Sequence, residues 1–502
     1  MWSAVGQAFA MVFEPYTIMV MLLASLYGLF VGAVPGLTAT MATALLVPVT
    51  FFMAPIPAIA AIVTATAMAI FSGDIPGCLL RIPGTPASAA YTDEAYAMTR
   101  KGQAELALGA GLVFSAVGGL FGTAVLILAA PALADFATRF SSFEYFWLVL
   151  LGLTCAVFIT SDRPLKGLVT LFLGLLVACV GLGNPAGFPR FTFGNAEMTG
   201  GIGMIAMMIG MFAISEIIRF VVDTAPPAEL VVEKVGNVFA GQWQLAKKYP
   251  VQILRGSALG TLVGALPGAG ADIAAWMSYA MSKKFSREPE KFGTGHVEGI
   301  VESGSANNSA LAGAWIPALV FGIPGDSITA IVIGVLYMKN MNPGPSLFST
   351  NPQNIYAVFL LFIVANIIMV PMGMLCIKAS KRILKVPRNV LMPIILLFCV
   401  VGTFAINNSM FEVGVMLVAG LVAYLLEAND FPIAPAILGV VLGGMLEENF
   451  ITSMIKSDGN LAAFVARPIA AGLAAVTLLV WTMPLLRAAL RRIRSAPRLP
   501  TP

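Results

Sequence analysis

Two short motifs each occur twice in this 502-residue chain, and their placement constrains the fold more than any other feature. Residues 32–36 read Gly32-Ala33-Val34-Pro35-Gly36, and residues 264–268 read Gly264-Ala265-Leu266-Pro267-Gly268, an offset of 232 residues. Ile82-Pro83-Gly84 returns as Ile323-Pro324-Gly325, an offset of 241. Proline removes a backbone donor and glycine admits a left-handed turn, so each pair ends a helix inside apolar sequence. Backbone groups released there cannot face lipid and must face protein, water or ligand. A lone Pro-Gly reads as a kink in a packed helix. Four of them, at matching points of two copies, read instead as broken helices with a binding site between the copies.

The solvent follows from composition. The chain is 58% hydrophobic and 11% charged, against about 25% charged in soluble domains. Apolar runs long enough to cross a bilayer recur at Leu106–Ala130, Phe143–Thr160, Gly200–Ile218 and Ile469–Leu486. A polytopic membrane protein is expected. No cationic segment precedes an early cleavable apolar run, so no signal peptide is expected. The five cysteines lie scattered in apolar sequence, without metal or redox spacing, and read as packing residues. The single histidine, His296, excludes a multi-histidine metal site and leaves enzyme chemistry little to use, so the chain is not expected to be an enzyme.

The net charge of +4 is informative by position. Basic clusters stand at Arg100-Lys101, Arg163–Lys166, Lys247-Lys248, Lys283–Lys291, Lys378–Arg388 and Arg487–Arg498, and the positive-inside rule assigns them to the cytoplasm. The last cluster directly follows an apolar run, so it reads as a topological anchor rather than a nucleic-acid-binding tail.

Spans then fall into order at 104–130, 143–160, 164–182 and 200–221, and again at 354–377, 389–406, 411–427 and 432–448. The second set begins outside, because the Asn340–Asn354 loop carries no Lys or Arg after Asn340 while Lys378–Arg388 follows the first span. The expected fold is all-α, with two inverted-topology repeats built around broken Pro-Gly hairpins and about 11–13 membrane segments plus re-entrant elements. The expected divisions are a first repeat over 1–222, a polar cytoplasmic linker over 223–250, a second, inverted repeat over 251–450, an extra span within 451–486 and a basic tail over 487–502. Hairpin arms fall at 17–34 and 37–52 in the first repeat and at 251–266 and 269–282 in the second, with a further span near 56–73. The N-terminus is expected outside and the C-terminus in the cytoplasm.

Polar residues cluster beside the breaks. Thr38 and Thr40 follow Gly36; Thr85 and Ser88 follow Gly84; Ser303, Asn307 and Asn308 precede Gly325, and Ser327 follows it. With Gly268, these residues are candidates for holding a substrate, because hydroxyls, amides and helix N-termini can replace the hydration of an anion. Interhelical hydrogen bonding is the competing reading for any one hydroxyl. Charges are rare at membrane depth and are paired or functional when present. Asp74, Asp272, Glu302 and Asp326 are candidates to bind Na⁺ or carry a proton, and Glu302 alternatively lines a cytoplasmic vestibule. Arg81 is a candidate clamp on a substrate carboxylate, or the partner of Asp74 or Asp326 in an internal ion pair. No cofactor and no bound metal beyond Na⁺ is expected.

The stretches Gly32–Pro48, Ile82–Gln103, Gly264–Ala275, Pro289–Gly293, Glu302–Asn308 with Gly322–Gly325, and Pro432–Asn449 resemble the large permease subunit of tripartite tricarboxylate transporters, the TctA-like family, over nearly the whole chain. The chain departs from that family's pattern at Asp74, Arg81, Asp272 and Asp326, where small neutral residues are usual, and over Thr92–Ala97. The resemblance implies a non-enzymatic permease importing organic di- or tricarboxylates across the bacterial inner membrane on a Na⁺ or H⁺ gradient. It also implies two partners, a small TctB-like membrane subunit and a TctC-like periplasmic solute-binding protein. A self-sufficient cation-coupled carboxylate symporter is the alternative, separated by whether uptake needs the binding protein. A channel is a further class, and gradient-driven accumulation of solute excludes it.

Overall fold

A computed structural model describes residues 2–160, 164–183, 187–222, 236–384 and 388–494. Of the expected linker and tail, 223–235 and 495–502 lie outside the described residues, as do Arg163 and Lys385 of the basic clusters. The described residues form helices and turns with no strand; a lone antiparallel bridge joins Gly181 and Arg190.

The chain begins with α1 (Trp2–Val12), α2 (Pro15–Ala33), α3 (Ala39–Phe51), α4 (Pro55–Ser72), α5 (Asp74–Leu80), α6 (Thr92–Arg100) and α7 (Ala104–Ala137). It continues through α8 (Ser142–Thr160), α9 (Pro164–Ala178), α10 (Met204–Ile209) and α11 (Ser215–Val222), with a π-helical turn over Gly210–Ile214 joining the last two. Then come α12 (Gln242–Lys248), α13 (Pro250–Gly264), α14 (Gly270–Phe285), α15 (Val297–Phe321), α16 (Ser327–Met338), α17 (Pro345–Thr350) and α18 (Pro352–Ile383). The chain closes with α19 (Arg388–Asn407), α20 (Met410–Ala428), α21 (Ala434–Lys456) and α22 (Pro468–Arg494). Among the described residues, eight helical stretches are long and apolar enough to cross a membrane: α2, α4 with α5, α7, α10 with α11, and α18 to α21. Six shorter apolar helices accompany them, α3 and α16 at the breaks included. The chain is an all-α, multi-pass membrane protein.

One central helix differs from expectation. No span was expected over α15, because Glu302, Ser303, Ser305, Asn307, Asn308 and Ser309 lower its hydropathy. Yet every residue from Glu298 to Phe321 is buried. Protein, not lipid, surrounds this helix. It packs on α7 where Gly118 and Gly122 lie against the backbone of Ser305 and Ser309.

Close glycine packing seats the first arm of each hairpin on a neighbouring helix. On α2, Gly28 and Gly32 lie against the carbonyls of Ala65 and Ala69 in α4; on α13, Gly260 and Gly264 lie against those of Ala306 and Ala310 in α15. A Cβ on any of the four collides with that backbone. Small residues at four-residue spacing let membrane helices approach closely and gain dispersion contacts that lipid does not offset. The glycine pairs are offset by 232 residues and their partners by 241, as are the two motifs.

The breaks are built alike. Gly36 and Gly268 take φ of 89° and 83°, a conformation side chains disfavour. Helix α5 ends at Arg81 (φ 59°), whose N–H donates to Gly77 O while Ile82 N–H donates to Pro76 O. Helix α15 ends at Gly322 (φ 69°), with Gly322 N–H donating to Ala318 O and Ile323 N–H to Pro317 O. Both are left-handed (αL) endings, and the extended Ile-Pro-Gly after each carries the chain away from the helix axis.

Candidate functional site

All four breaks open onto one cavity of about 410 Å³. Its wall takes Thr38, Ala39 and Thr40 from the start of α3, Thr85 to Ala87 from the first Ile-Pro-Gly loop, Gly268 to Ile273 from the tip and start of α14, Asn307 from α15, and Asp326 to Ile328 from the start of α16. The rest of the wall includes Met211 and Phe212 of the π-helical turn, Ser215, Glu216 and Arg219 of α11, Glu427 at the end of α20, and Ile433, Ala434 and Leu438 around the start of α21.

Side chains fix the loop ends. Thr38 caps α3, its Oγ1 accepting from Met41 N–H at 3.1 Å. Asp326 caps α16 in a reciprocal box: Thr329 N–H donates to Asp326 Oδ1 at 2.7 Å and Asp326 N–H donates to Thr329 Oγ1 at 2.9 Å. Thr85 and Ser88 make the same exchange, each backbone N–H donating to the other's hydroxyl at 3.2 Å. Gly268 N–H donates to Gly325 O at 2.8 Å, tying the hairpin tip to the second break. Helices α3 and α16 thus turn N-terminal, partly positive ends toward the cavity.

The cavity brings together eight of the sequence candidates: Thr38, Thr40, Thr85, Gly268, Asn307, Ser327, Asp272 and Asp326. The others lie elsewhere. Gly36, Gly84 and Gly325 form the turns behind it; Gly84 packs on Gly32 O and Gly73, and Gly325 on Gly264 O and Ala314, where no side chain fits. Ser88 is spent on Thr85. Ser303 is buried within α15 away from the wall. Asn308 faces α7, its Nδ2 donating to Ser115 Oγ at 2.7 Å, which is the interhelical role. Asp74 is buried under Tyr91, whose hydroxyl donates to Asp74 Oδ1 at 2.6 Å.

Two charge assignments are corrected by the geometry. Arg81 pairs with Asp93 at 2.9 Å rather than with Asp74 or Asp326, its side chain is 63% exposed, and it lies off the cavity. As the left-handed cap of α5 it leaves the helix axis, at the position where α15 has Gly322. Glu302, fully buried, accepts from Arg255 Nε and Nη2 at 2.6 Å each. It is the neutralised partner of a bidentate clamp, not a vestibule lining.

The basic group among the described lining residues is Arg219, near the end of the span expected at 200–221. It pairs with Glu216 at 2.9 Å and with Glu427. Glu216, one turn earlier on the same helix, and Glu427, at the end of another span, were the available signal. Arg219 is offset by two carboxylates, whereas Asp272 and Asp326 have no ion pair among the described residues. Asn307 Oδ1, fully buried, also has no partner. The cavity therefore joins hydroxyls and the N-terminus of α3, suited to an anion, with two carboxylates that have no ion pair among the described residues.

Comparison with known proteins gives a family. The model described as the tripartite tricarboxylate transporter TctA family matches residues 18–438. An uncharacterised 52.8 kDa protein in the TAR-I ttuC' 3' region of Agrobacterium vitis is 33% identical over 476 residues, covering 95% of this chain and 94% of that protein. An uncharacterised protein in the TAR-II ttuC' 3' region of the same organism is 34% identical over 231 residues, covering 45% of this chain and 96% of that protein. No solved structure matches.

Proposed function

The chain belongs to the tripartite tricarboxylate transporter TctA family, and from that premise we propose that it is the large permease subunit of a binding-protein-dependent secondary transporter. It imports organic di- or tricarboxylates across the bacterial inner membrane, with its N-terminus periplasmic and its C-terminus cytoplasmic. A small membrane subunit and a periplasmic solute-binding protein complete the system, and a Na⁺ or H⁺ gradient drives it.

The observation that carries this reading is the convergence of all four Pro-Gly breaks on one cavity. Discontinuous helices whose ends meet substrate and ion between two repeats are the working parts of alternating-access transporters. The paired glycine packing, the paired left-handed helix endings and the paired reciprocal boxes support a two-repeat architecture that rocks about this cavity. The substrate site consists of Thr38, Thr40, Thr85, Asn307 and Ser327 with the N-terminal end of α3.

The test is uptake of a labelled carboxylate panel into proteoliposomes holding this chain and the small subunit, with and without the purified binding protein and an inward Na⁺ or H⁺ gradient. Concentrative uptake that requires both the gradient and the binding protein is expected. Uptake that only equilibrates, or that proceeds equally well without the binding protein, overturns the corresponding part of the proposal.

A further inference from the structure

The two helices that start at the hairpin tips, α3 and α14, are bonded very unequally to the opposite half of the chain. Helix α14 is stitched to the first half along its length. Trp276 Nε1 donates to Pro86 O at 3.2 Å, and Tyr279 Oη donates to Glu94 Oε1 at 2.8 Å. The loop that returns α14 to α15 gives the N–H groups of Gly293, Gly295 and His296 to the same carboxylate, and Lys101 Nζ donates to Thr294 O at 2.6 Å. Helix α3 and its return loop, among the described residues, have one hydrogen-bonding partner in the second half. This is Lys339, whose Nζ donates to Phe51 O at 2.8 Å and to Met53 O at 2.7 Å.

The two lysines are equivalent. Each is the C-cap of the helix that follows an Ile-Pro-Gly break, Lys101 on α6 and Lys339 on α16. Each is followed by a left-handed residue, Gly102 (φ 77°) or Asn340 (φ 55°), and each turn is closed at 2.9 Å, by Gln103 N–H to Met98 O or by Met341 N–H to Leu336 O. Their acceptors Met53 and Thr294 are 241 residues apart, the offset of the Ile-Pro-Gly motifs. The carboxylate is what differs. Glu94 stands seven residues before Lys101, whereas buried Val332 stands seven before Lys339. The first-half return therefore has the lysine without the nest.

We propose that Lys339 is the latch of a movable α3 arm, and that the α14 arm stays fixed to the first half while α3 opens. The ammonium meets the last carbonyl of α3, one of the acceptors a helix C-terminus leaves open and the end where a cation is favoured. Freeing α3 from the second half breaks the two bonds of Lys339, whereas freeing α14 and its loop from the first half breaks six. Nearer the cavity α3 is held to its own half, with Thr43 Oγ1 2.9 Å from Thr66 Oγ1 and Tyr27 Oη donating to Ala42 O at 3.1 Å, and these bonds form the pivot. Beside Phe51 lies a space of about 290 Å³, bordered by Met204 of α10, Tyr337 of α16 and Asn407 of α19, into which the end of α3 can swing. The arm carries Thr38 and Thr40 on the cavity wall, so its release changes access to that wall. The proposal rests on the transport reading only in making this movement a gate.

The test compares the purified full chain in detergent with Lys339→Met, Lys339→Arg and Lys101→Met by hydrogen exchange. Exchange over residues 50–54 should accelerate about tenfold or more in Lys339→Met, which loses two charge-assisted bonds. Lys339→Arg, which still donates to both carbonyls, should restore it. Exchange over 293–296 should rise about fivefold or less in Lys101→Met, since that bond is exposed and Glu94 still holds the loop. The second readout is maleimide labelling of Thr40→Cys, counted above that of the parent's five cysteines. Thr40 lies 11 residues before Phe51, about 16 Å along the helix, so fraying confined to the loop does not reach it. Labelling should quicken about fivefold or more when Lys339→Met is added, revert with Lys339→Arg and hold steady with Lys101→Met. Unchanged loop exchange in Lys339→Met, unchanged labelling despite faster loop exchange, or an equal gain in labelling from Lys101→Met overturns the proposal. No carboxylate and no gradient enter these assays, so failure of the uptake assay leaves their result standing, and the reverse.

Discussion

Glu94→Gln should release the loop between α14 and α15. Glu94 is fully buried at the base of α6. Its Oε1 accepts from Tyr279 Oη at 2.8 Å and from Gly293 N–H; its Oε2 accepts from Gly295 N–H at 2.7 Å and from His296 N–H at 2.8 Å. Gly293 and Gly295 take φ of 90° and 95°, so the loop folds its backbone N–H groups into a concave nest around one carboxylate. Lys101 adds a bond to Thr294 O at 2.6 Å. In the best orientation of a glutamine, the amide oxygen keeps Gly295 and His296, the NH₂ group donates to a reversed Tyr279 hydroxyl, and Gly293 N–H is left facing another donor. One charge-assisted bond worth about 1.5–3 kcal/mol disappears, and the others fall to the neutral range of about 0.5–1.5 kcal/mol. The expected loss is about 3–5 kcal/mol of local stability.

Hydrogen exchange reads this locally and reversibly, whereas global unfolding of a membrane protein is often irreversible. At about 1.4 kcal/mol per tenfold, exchange at Gly295 and His296 should accelerate roughly 100-fold or more in Glu94→Gln. Tyr279→Phe, which removes one of the four bonds and no backbone partner, should accelerate it less, by roughly 10- to 100-fold. Unchanged exchange in Glu94→Gln would show that Lys101 and neighbouring packing hold the loop without the carboxylate, and the reasoning from the nest would fall.

Two further outcomes separate side chains that look alike in sequence. Asn307→Ala should cut uptake while leaving thermal stability near that of the parent, because Asn307 lines the cavity; Asn308→Ala should lower stability by about 0.6–2 kcal/mol through its interhelical bond to Ser115, and paired uptake and unfolding assays check both. Arg81→Ala should keep its apparent substrate affinity in the same uptake assay, since the exposed pair with Asp93 contributes about 0–1 kcal/mol and lies off the cavity.

The membrane helices were legible where apolar sequence runs between clear stops. The run expected at 143–160 is helix α8 (Ser142–Thr160), and that expected at 389–406 is α19 (Arg388–Asn407). The Pro-Gly breaks were legible because proline and glycine act on the backbone at their own positions. Helix α15 was not, because hydropathy measures fitness for lipid and this helix touches protein throughout. The signal that could have found it was the duplication: at the offset of 241, α15 falls on the apolar stretch of α4 and α5. The cavity was legible as a set of breaks, since eight candidates beside them line it, but individual side-chain directions were not. Asn307 and Asn308 are adjacent, yet about 100° of helical rotation sends one to the cavity and the other to α7.

The placement of the two arginines shows why charge near a break does not by itself mark a binding role. Arg81 is two residues from Pro83, closer in sequence to a break than Arg219 is to any. Arg81 ends α5 in the left-handed conformation, and this conformation swings Cβ off the helix line and toward Asp93. Arg219 sits on a regular helix whose preceding π-helical turn, with one extra residue per turn, rotates α11 relative to α10. That rotation sets which face of α11 meets the cavity, and it turns Ser215, Glu216 and Arg219 onto one wall. Backbone geometry that a charge count does not contain thus decides which cation the cavity sees. Asp272 and Asp326 line the α14–α16 side without an ion pair among the described residues, because the arginine among the described lining residues is already shared between Glu216 and Glu427.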